Sequence, residues 1–330
     1  MAETDEGTDK YPLKMRRLIG IGETVLDVIF KNDQPSAAVP GGSTFNAMIS
    51  LGRTIGVKHP ENQILMITET GDDHIGDIIV NFMQENHVST QGVTRNQGTQ
   101  SHISMAFLND SNDAQYEFYK DHKHAYLQAD KIESLGGFTA SDVVLFGSFF
   151  AINPVLRDYT RQLLQAAHRA GAILYYDVNF RASHIADIPD TIDNIIENCR
   201  LSDVVRGSAE DFGYLYGSTD PQKVYEKHIR PLCPNFICTD GGRPAWVFTP
   251  DQTLQIPVAP IQTVSTIGAG DNFNAGFLYG IVERELTKTQ LHKASSETWR
   301  TLVAIGQKFS ANVCQSIYNY VDPEFWICHK

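Results

Sequence analysis

Ser265-Thr266-Ile267-Gly268-Ala269-Gly270-Asp271-Asn272-Phe273-Asn274-Ala275-Gly276-Phe277 is the most informative stretch of this chain. Gly268, Ala269 and Gly270 make a small-residue turn, and Asp271 then opens an apolar helix running through Phe273, Phe277 and Leu278. Successive backbone N–H groups at such a turn and helix N-terminus converge on one point and attract an anion. Asp271, directly after the glycines, can face the same point. A carboxylate beside an anion hole is unfavourable for holding phosphate alone. It makes sense when the carboxylate takes a proton while the N–H groups stabilise charge on a transferring phosphoryl group. The plainer alternative is that Asp271 is an N-cap on a tight turn.

Upstream of this stretch, short apolar runs alternate with amphipathic segments. RLIGIG (17–22), ILMIT (64–68), VVLFG (143–147), AILYYDVN (172–179) and FICTD (236–240) read as buried strands. Residues 44–57, 74–88 and 153–171 carry apolar residues at helical spacing, the last ending at Gly171 in a position suited to C′. This alternation predicts an α/β fold, a doubly wound and mainly parallel sheet covered on both faces. Ligands of such sheets bind beyond the carboxyl ends of the strands, which places Asp177, Asn179, Asp240 and Gly241 on the functional edge. Residues 24–42 and 98–120 break the pattern. They hold alternating segments such as SHISMAFLND and AQYEFYK and predict a small separate β-sheet projecting from the main domain. Residues 1–15 are expected to be a disordered tail and 16–330 a single α/β domain.

Bulk properties narrow the function. The 330 residues are 42% hydrophobic and carry 27 Lys plus Arg against 39 Asp plus Glu, a formal net charge of −12. An acidic surface repels phosphate backbones, so nucleic acid is not an expected partner. No apolar run approaches the ~20 residues of a membrane span, and the acidic start is no signal peptide, so a cytoplasmic location is expected. Five cysteines (Cys199, Cys233, Cys238, Cys314, Cys328) without a C-x-x-C pair predict reduced thiols. GIGETV (20–25) half-matches a dinucleotide fingerprint but has Val25 for the last glycine and leads into a strand. No G-x-x-x-x-G-K-[ST] or H-E-x-x-H occurs.

VSTIGAGDNFNAGF (264–277) resembles the C-terminal signature of the ribokinase-like (PfkB) carbohydrate kinases. GGSTFNA (41–47) resembles their N-terminal signature, and TGDDHIG (70–76), YEFYK (116–120) and DVNFR (177–181) resemble further blocks in the family order. The similarity runs from about residue 17 to about 315. It implies a sugar kinase using ATP and Mg2+, with the small sheet as a lid over the sugar. Asp271 then matches the catalytic base and Gly268, Ala269 and Gly270 the anion hole. Asp27 and Asn46 match sugar-binding residues, with Gly41 and Gly42 letting the backbone approach the sugar. Arg181 and Lys120 could reach substrate or phosphate. Thr239, Gly241 and Gly242 fall in the nucleotide-binding loop.

Three departures stand out. Where the family often has N-x-x-E, organising Mg2+ through water, this chain has S-A-E-D. Ser208 then falls on the nucleotide side, and Glu210 and Asp211 are the candidate metal residues. The family's T-x-G-x-x-G becomes T-D-G-G-R-P, with Pro244 last. The aspartate usually leading the C-terminal block, which commonly helps bind a monovalent cation, is Ser265, which puts potassium activation in question. The lid segments resemble the fructokinase-like branch, so fructose is the expected substrate, with 2-keto-3-deoxygluconate or ribose as alternatives. A non-catalytic sugar or nucleoside sensor on the same fold is the alternative of another class. In some members two lids pair into a homodimer, which the resemblance offers here as well.

Overall fold

The computed structural model describes residues 15–108, 114–119 and 131–325. Residues 1–14 of the expected tail, Lys120 and Cys328 lie outside the described residues. Strands β1 (Arg17–Ile21), β4 (Gln63–Gly71), β5 (Val93–Asn96), β8 (Val143–Gly147), β9 (Ile173–Asp177), β10 (Val204–Ser208), β11 (Phe236–Asp240), β12 (Arg243–Phe248) and β13 (Thr253–Ile256) form one sheet. Its order is β13-β12-β11-β10-β9-β8-β1-β4-β5. Pairing is parallel from β11 to β5, and β12 and β13 add an antiparallel edge.

The helices are α1 (Ser43–Leu51), α2 (His74–Glu85), α3 (Lys131–Ser134), α4 (Arg157–Arg169), α5 (Ile188–Leu201), α6 (Ala209–Tyr216), α7 (Pro221–Val224), α8 (Ala269–Glu283), α9 (Lys288–His292) and α10 (Ser296–Cys314). Both faces of the sheet are covered, and successive strand residues serve opposite cores, as the strand period of two requires. Val143, Leu145, Ile173 and Tyr175 pack with Phe45, Phe273, Phe277 and Trp299 of α1, α8 and α10. Val144, Phe146, Leu174 and Tyr176 pack with Leu163, Ile195 and Phe212 of α4, α5 and α6. The helix expected from Asn153 starts at Arg157, because Asn153 Oδ1 accepts the Val155 N–H and holds the chain in a turn. Gly171 does follow the helix with a left-handed φ of 80°.

The second sheet has the order β3-β2-β6-β7, from β2 (Val25–Lys31), β3 (Gln34–Gly41), β6 (Ile103–Leu108) and β7 (Ala114–Tyr119). Two hairpins meet through the parallel pair β2–β6, whose register sets Asp27 opposite Ser104. β3 leads through Gly42 directly into α1, so one short segment connects lid and main domain. Asp73 ties the lid's other root: it accepts from the Ser101 amide at 2.8 Å and hydroxyl at 2.6 Å while capping α2 through Gly76 N at 2.7 Å. Although its partial burial works the other way, these three donors, with Arg95 nearby, hold the Asp73 carboxyl below its usual range. Cys199, Cys233, Cys238 and Cys314 are buried and unpaired. Among the described residues no helix is long and apolar enough to cross a membrane.

Candidate active site

Helix α8 begins at Ala269, with Gly268 as its N-cap at a left-handed φ of 76°. Asp271 is therefore the third residue of the helix rather than its opening residue, and it caps nothing. The Ala269 amide is turned to Thr266 O at 3.2 Å. That corrects the expected anion hole: the donors remaining in the first turn are the amides of Gly270 and Asp271, which have no intrahelical acceptor. Gly270 has a second reason to lack a side chain, since a Cβ there would sit 2.9 Å from Arg206 Nη1.

Asp271 is buried, and its Oδ2 accepts from Asn46 Nδ2 at 2.9 Å. Burial, with the Asp177 carboxylate nearby, pushes the Asp271 carboxyl up to about 6, against the opposing pull of Asn46, Arg181 and Arg206. A carboxyl poised there is ionised at neutral pH yet basic enough to take a proton.

On the lid side, Asp27 is buried on β2 and accepts a short hydrogen bond from the Ser104 hydroxyl. The space left by the missing Gly41 Cβ is filled by the Asp27 carboxylate, and that beside Gly42, at φ 120°, by Glu23 O. These glycines thus make room for protein groups, where the sequence suggested room for a sugar. Asn46 does double duty: its Nδ2 holds the base, while its buried Oδ1 has no partner and remains an acceptor. Arg181 is exposed just past β9 and lies within electrostatic reach of Asp271.

On the nucleotide side, Gly241 (φ 52°) and Gly242 form a two-residue turn between β11 and β12, with open space where side chains would be. Pro244 occupies β12, so the departure at that position reflects a hairpin that turns back early. Ser208 and Asp211 form a reciprocal capping box at the start of α6: Ser208 Oγ accepts Asp211 N at 3.1 Å, and Asp211 Oδ2 accepts Ser208 N at 2.6 Å. Asp211 is buried and its carboxyl is pushed up to about 6, burial being the main cause. Both candidate residues therefore hold the backbone. Glu210 is exposed and accepts from Tyr214 OH at 2.6 Å.

The residue that sequence reasoning missed is Arg206. It is buried on β10, pairs with Asp177 Oδ1 at 3.0 Å, donates to Thr239 Oγ1 at 2.7 Å and lies 5.5 Å from the Phe273 ring centroid. Burial alone would depress the guanidinium, but Asp177 chiefly raises it above its ordinary value. Asn274 completes the network, donating to Asp177 Oδ2 at 2.7 Å and accepting from Tyr175 OH at 3.0 Å. The available signal was a charged residue inside the strand VVRGS, since a buried arginine requires a buried partner. Nearby, Asn179 and Ser148 hold positive φ angles of 36° and 50° at adjacent strand ends, and Asn179 Nδ2 is buried without a partner. Such strain in residues with side chains concentrates at functional sites.

A buried carboxyl raised to about 6, two first-turn amides without an intrahelical acceptor and an arginine behind them form a site chemically suited to taking a proton beside an anion. The profile of the pfkB family carbohydrate kinases matches residues 15–323. Probable fructokinase-6, chloroplastic, of Arabidopsis thaliana is 23% identical over 284 residues, 83% of this chain and 71% of that protein. Among solved structures, the fold is similar to fructokinase with bound ATP from Xylella fastidiosa (TM-score 0.80, 18% identity, 94% and 97% of the two chains). It is also similar to aminoimidazole riboside kinase from Salmonella enterica, complexed with aminoimidazole riboside and an ATP analogue (TM-score 0.74, 19% identity, 94% and 96%).

Proposed function

The chain belongs to the pfkB family of carbohydrate kinases, and from that premise we propose that it transfers the γ-phosphoryl group of ATP to a hydroxyl of fructose. The observation that carries the chemistry is Asp271, buried, raised to about 6 and set in the first turn of α8. In this reading the sugar lies under the lid, with hydroxyls on Asp27 and on the free Oδ1 of Asn46. Asp271 takes the proton of the attacking hydroxyl as the oxygen bonds to phosphorus and the bond to the leaving β-phosphate oxygen breaks. The Gly270 and Asp271 amides face the charge on the transferring group. Arg206 keeps the turn electropositive from behind. The nucleotide lies along Thr239, Gly241 and Gly242.

A divalent metal would shield the phosphates. Among the described residues no group of three or more His, Cys, Asp or Glu is assembled for an ion. The exposed Glu210 carboxylate fits a magnesium ion that arrives on the nucleotide and keeps most of its waters. Fructose as acceptor is supported by the fructokinase names of curated relatives at 22–24% identity.

The test is ADP formation over fructose, ribose, 2-keto-3-deoxygluconate, tagatose and nucleosides. Fructose is expected to give the highest kcat/KM. Asp271→Ala should lower kcat by roughly 10²–10⁴, the usual range for loss of a general base, with sugar binding retained in calorimetry. Near-normal turnover in that variant would remove the mechanism, and sugar binding without any ADP would indicate a sensor.

A further inference from the structure

Asn272 directly follows the base, is 0% exposed, and uses its whole side-chain amide. Its Nδ2 donates to Gly268 O and to Asn319 O, both at 2.8 Å, and its Oδ1 accepts from Ser50 Oγ at 2.5 Å. Ser50 Oγ in turn accepts the Val321 amide at 3.1 Å. The amide is oriented without ambiguity, because carbonyl oxygens only accept and the Ser50 hydroxyl donates. Four pieces of chain meet there: the left-handed cap of α8, its first turn, helix α1 and the C-terminal segment around Asn319. The approach is close, since a Cβ on Gly268 would lie 2.9 Å from Asn319 O. Asn46 and Ser50, one helical turn apart on α1, thus hold Asp271 and Asn272 respectively.

Asn319 is buried, and its carbonyl oxygen would cost about 1–3 kcal/mol if left bare, while Gly268 O also accepts the Asn272 backbone amide at 2.9 Å, so the side-chain amide is its second donor. A monovalent cation between carbonyls is one partner for such oxygens, and a doubly donating amide is another. Ser265, which stands where the family commonly has a cation-binding aspartate, carries no charge, and its Oγ accepts the Ile267 amide at 3.2 Å. Gly268 O, Asn319 O, Thr266 O and Ser265 Oγ are therefore already engaged by protein N–H groups, and position 265 brings no carboxylate to attract an ion.

We propose that the Asn272 amide is the positioning element of the anion-hole turn and does internally what a bound monovalent cation would do, so that this chain works without one. The inference rests on the kinase reading for its activity measurement, but its binding measurement is independent of that reading. Melting temperature and kcat are measured on the full chain in KCl, NaCl and tetramethylammonium chloride at equal ionic strength. The expected result is one melting temperature and one kcat, within twofold, in all three salts. A saturable rise in either quantity specific to potassium or sodium overturns the proposal.

Asn272→Asp supplies the converse. It replaces the donor with a carboxylate facing two carbonyls, an oxygen cage of net negative charge suited to a cation. The folded variant should melt higher in KCl or NaCl than in tetramethylammonium chloride and regain turnover at least tenfold. A variant that is folded and indifferent to the salt overturns the role given to Asn272. If it does not fold, the wild-type salt series still decides. Absence of ADP with every sugar, alongside salt-independent melting, would remove the kinase reading and leave this inference standing.

Discussion

Asn46→Leu removes the one side-chain donor seen on the base while keeping volume and excluding a replacement water. The Asn46–Asp271 hydrogen bond favours the ionised carboxylate, so its loss must raise the Asp271 carboxyl further above its present value of about 6. A hydrogen bond to a charged group is worth about 1.5–3 kcal/mol, which at about 1.4 kcal/mol per unit is about one to two units. The group would then titrate at about 7–8. The base acts only when deprotonated, so activity is lost as pH falls through this value. At pH 7 the ionised share falls from about nine-tenths to between about a half and a tenth, lowering kcat/KM by about two- to tenfold. By pH 9 this part of the loss should disappear. The assay is the pH profile of kcat/KM for the sugar, which reports the free enzyme and so corresponds to the ligand-free geometry. Loss of sugar contacts by Asn46 would add a decrease that is the same at every pH. An acid limb that stays near pH 6 while affinity drops would refute the claim that Asn46 tunes the base.

Two further perturbations test other parts of the site. Gly41→Ala puts a Cβ into the Asp27 carboxylate; at an overpacking cost of about 1–3 kcal/mol, the sugar KM should rise about five- to 150-fold at about 1.4 kcal/mol per decade. The KM for ATP should not move, and a change confined to ATP would place Asp27 on the wrong side of the cleft. Arg206→Met leaves the buried Asp177 carboxylate without its ionic partner, which should cost about 3–5 kcal/mol in chemical denaturation. Adding Asp177→Asn should restore part of that loss, whereas strictly additive losses would mean that the two groups do not act as a pair.

The strand and helix order was readable because the core-facing residues repeat at the periods of the two structures. Val143 to Phe146 alternate between two cores, so a continuous apolar run was the correct sign of a strand buried on both faces. The lid strands were readable from alternation, but the parallel β2–β6 join that sets Ser104 against Asp27 was not, because pairing across 77 positions leaves no local trace. The capping box at Ser208 and Asp211 was present in the spacing S-x-x-D, yet a family pattern at the same residues pointed to metal instead. Asp271 illustrates the division most directly. Its type, its place after a small-residue turn and the apolar helix that follows are local facts, and the chain carries them alone. Its basicity is not local: burial and the Asp177 carboxylate raise it, while Asn46, 225 positions away, and Arg206 draw it part of the way back. Electrostatic energies depend on distance and on exclusion of water, and only the folded chain sets either of these. The sequence therefore determined which carboxyl follows the small-residue turn, and the tertiary structure decided that this carboxyl is buried and raised to about 6.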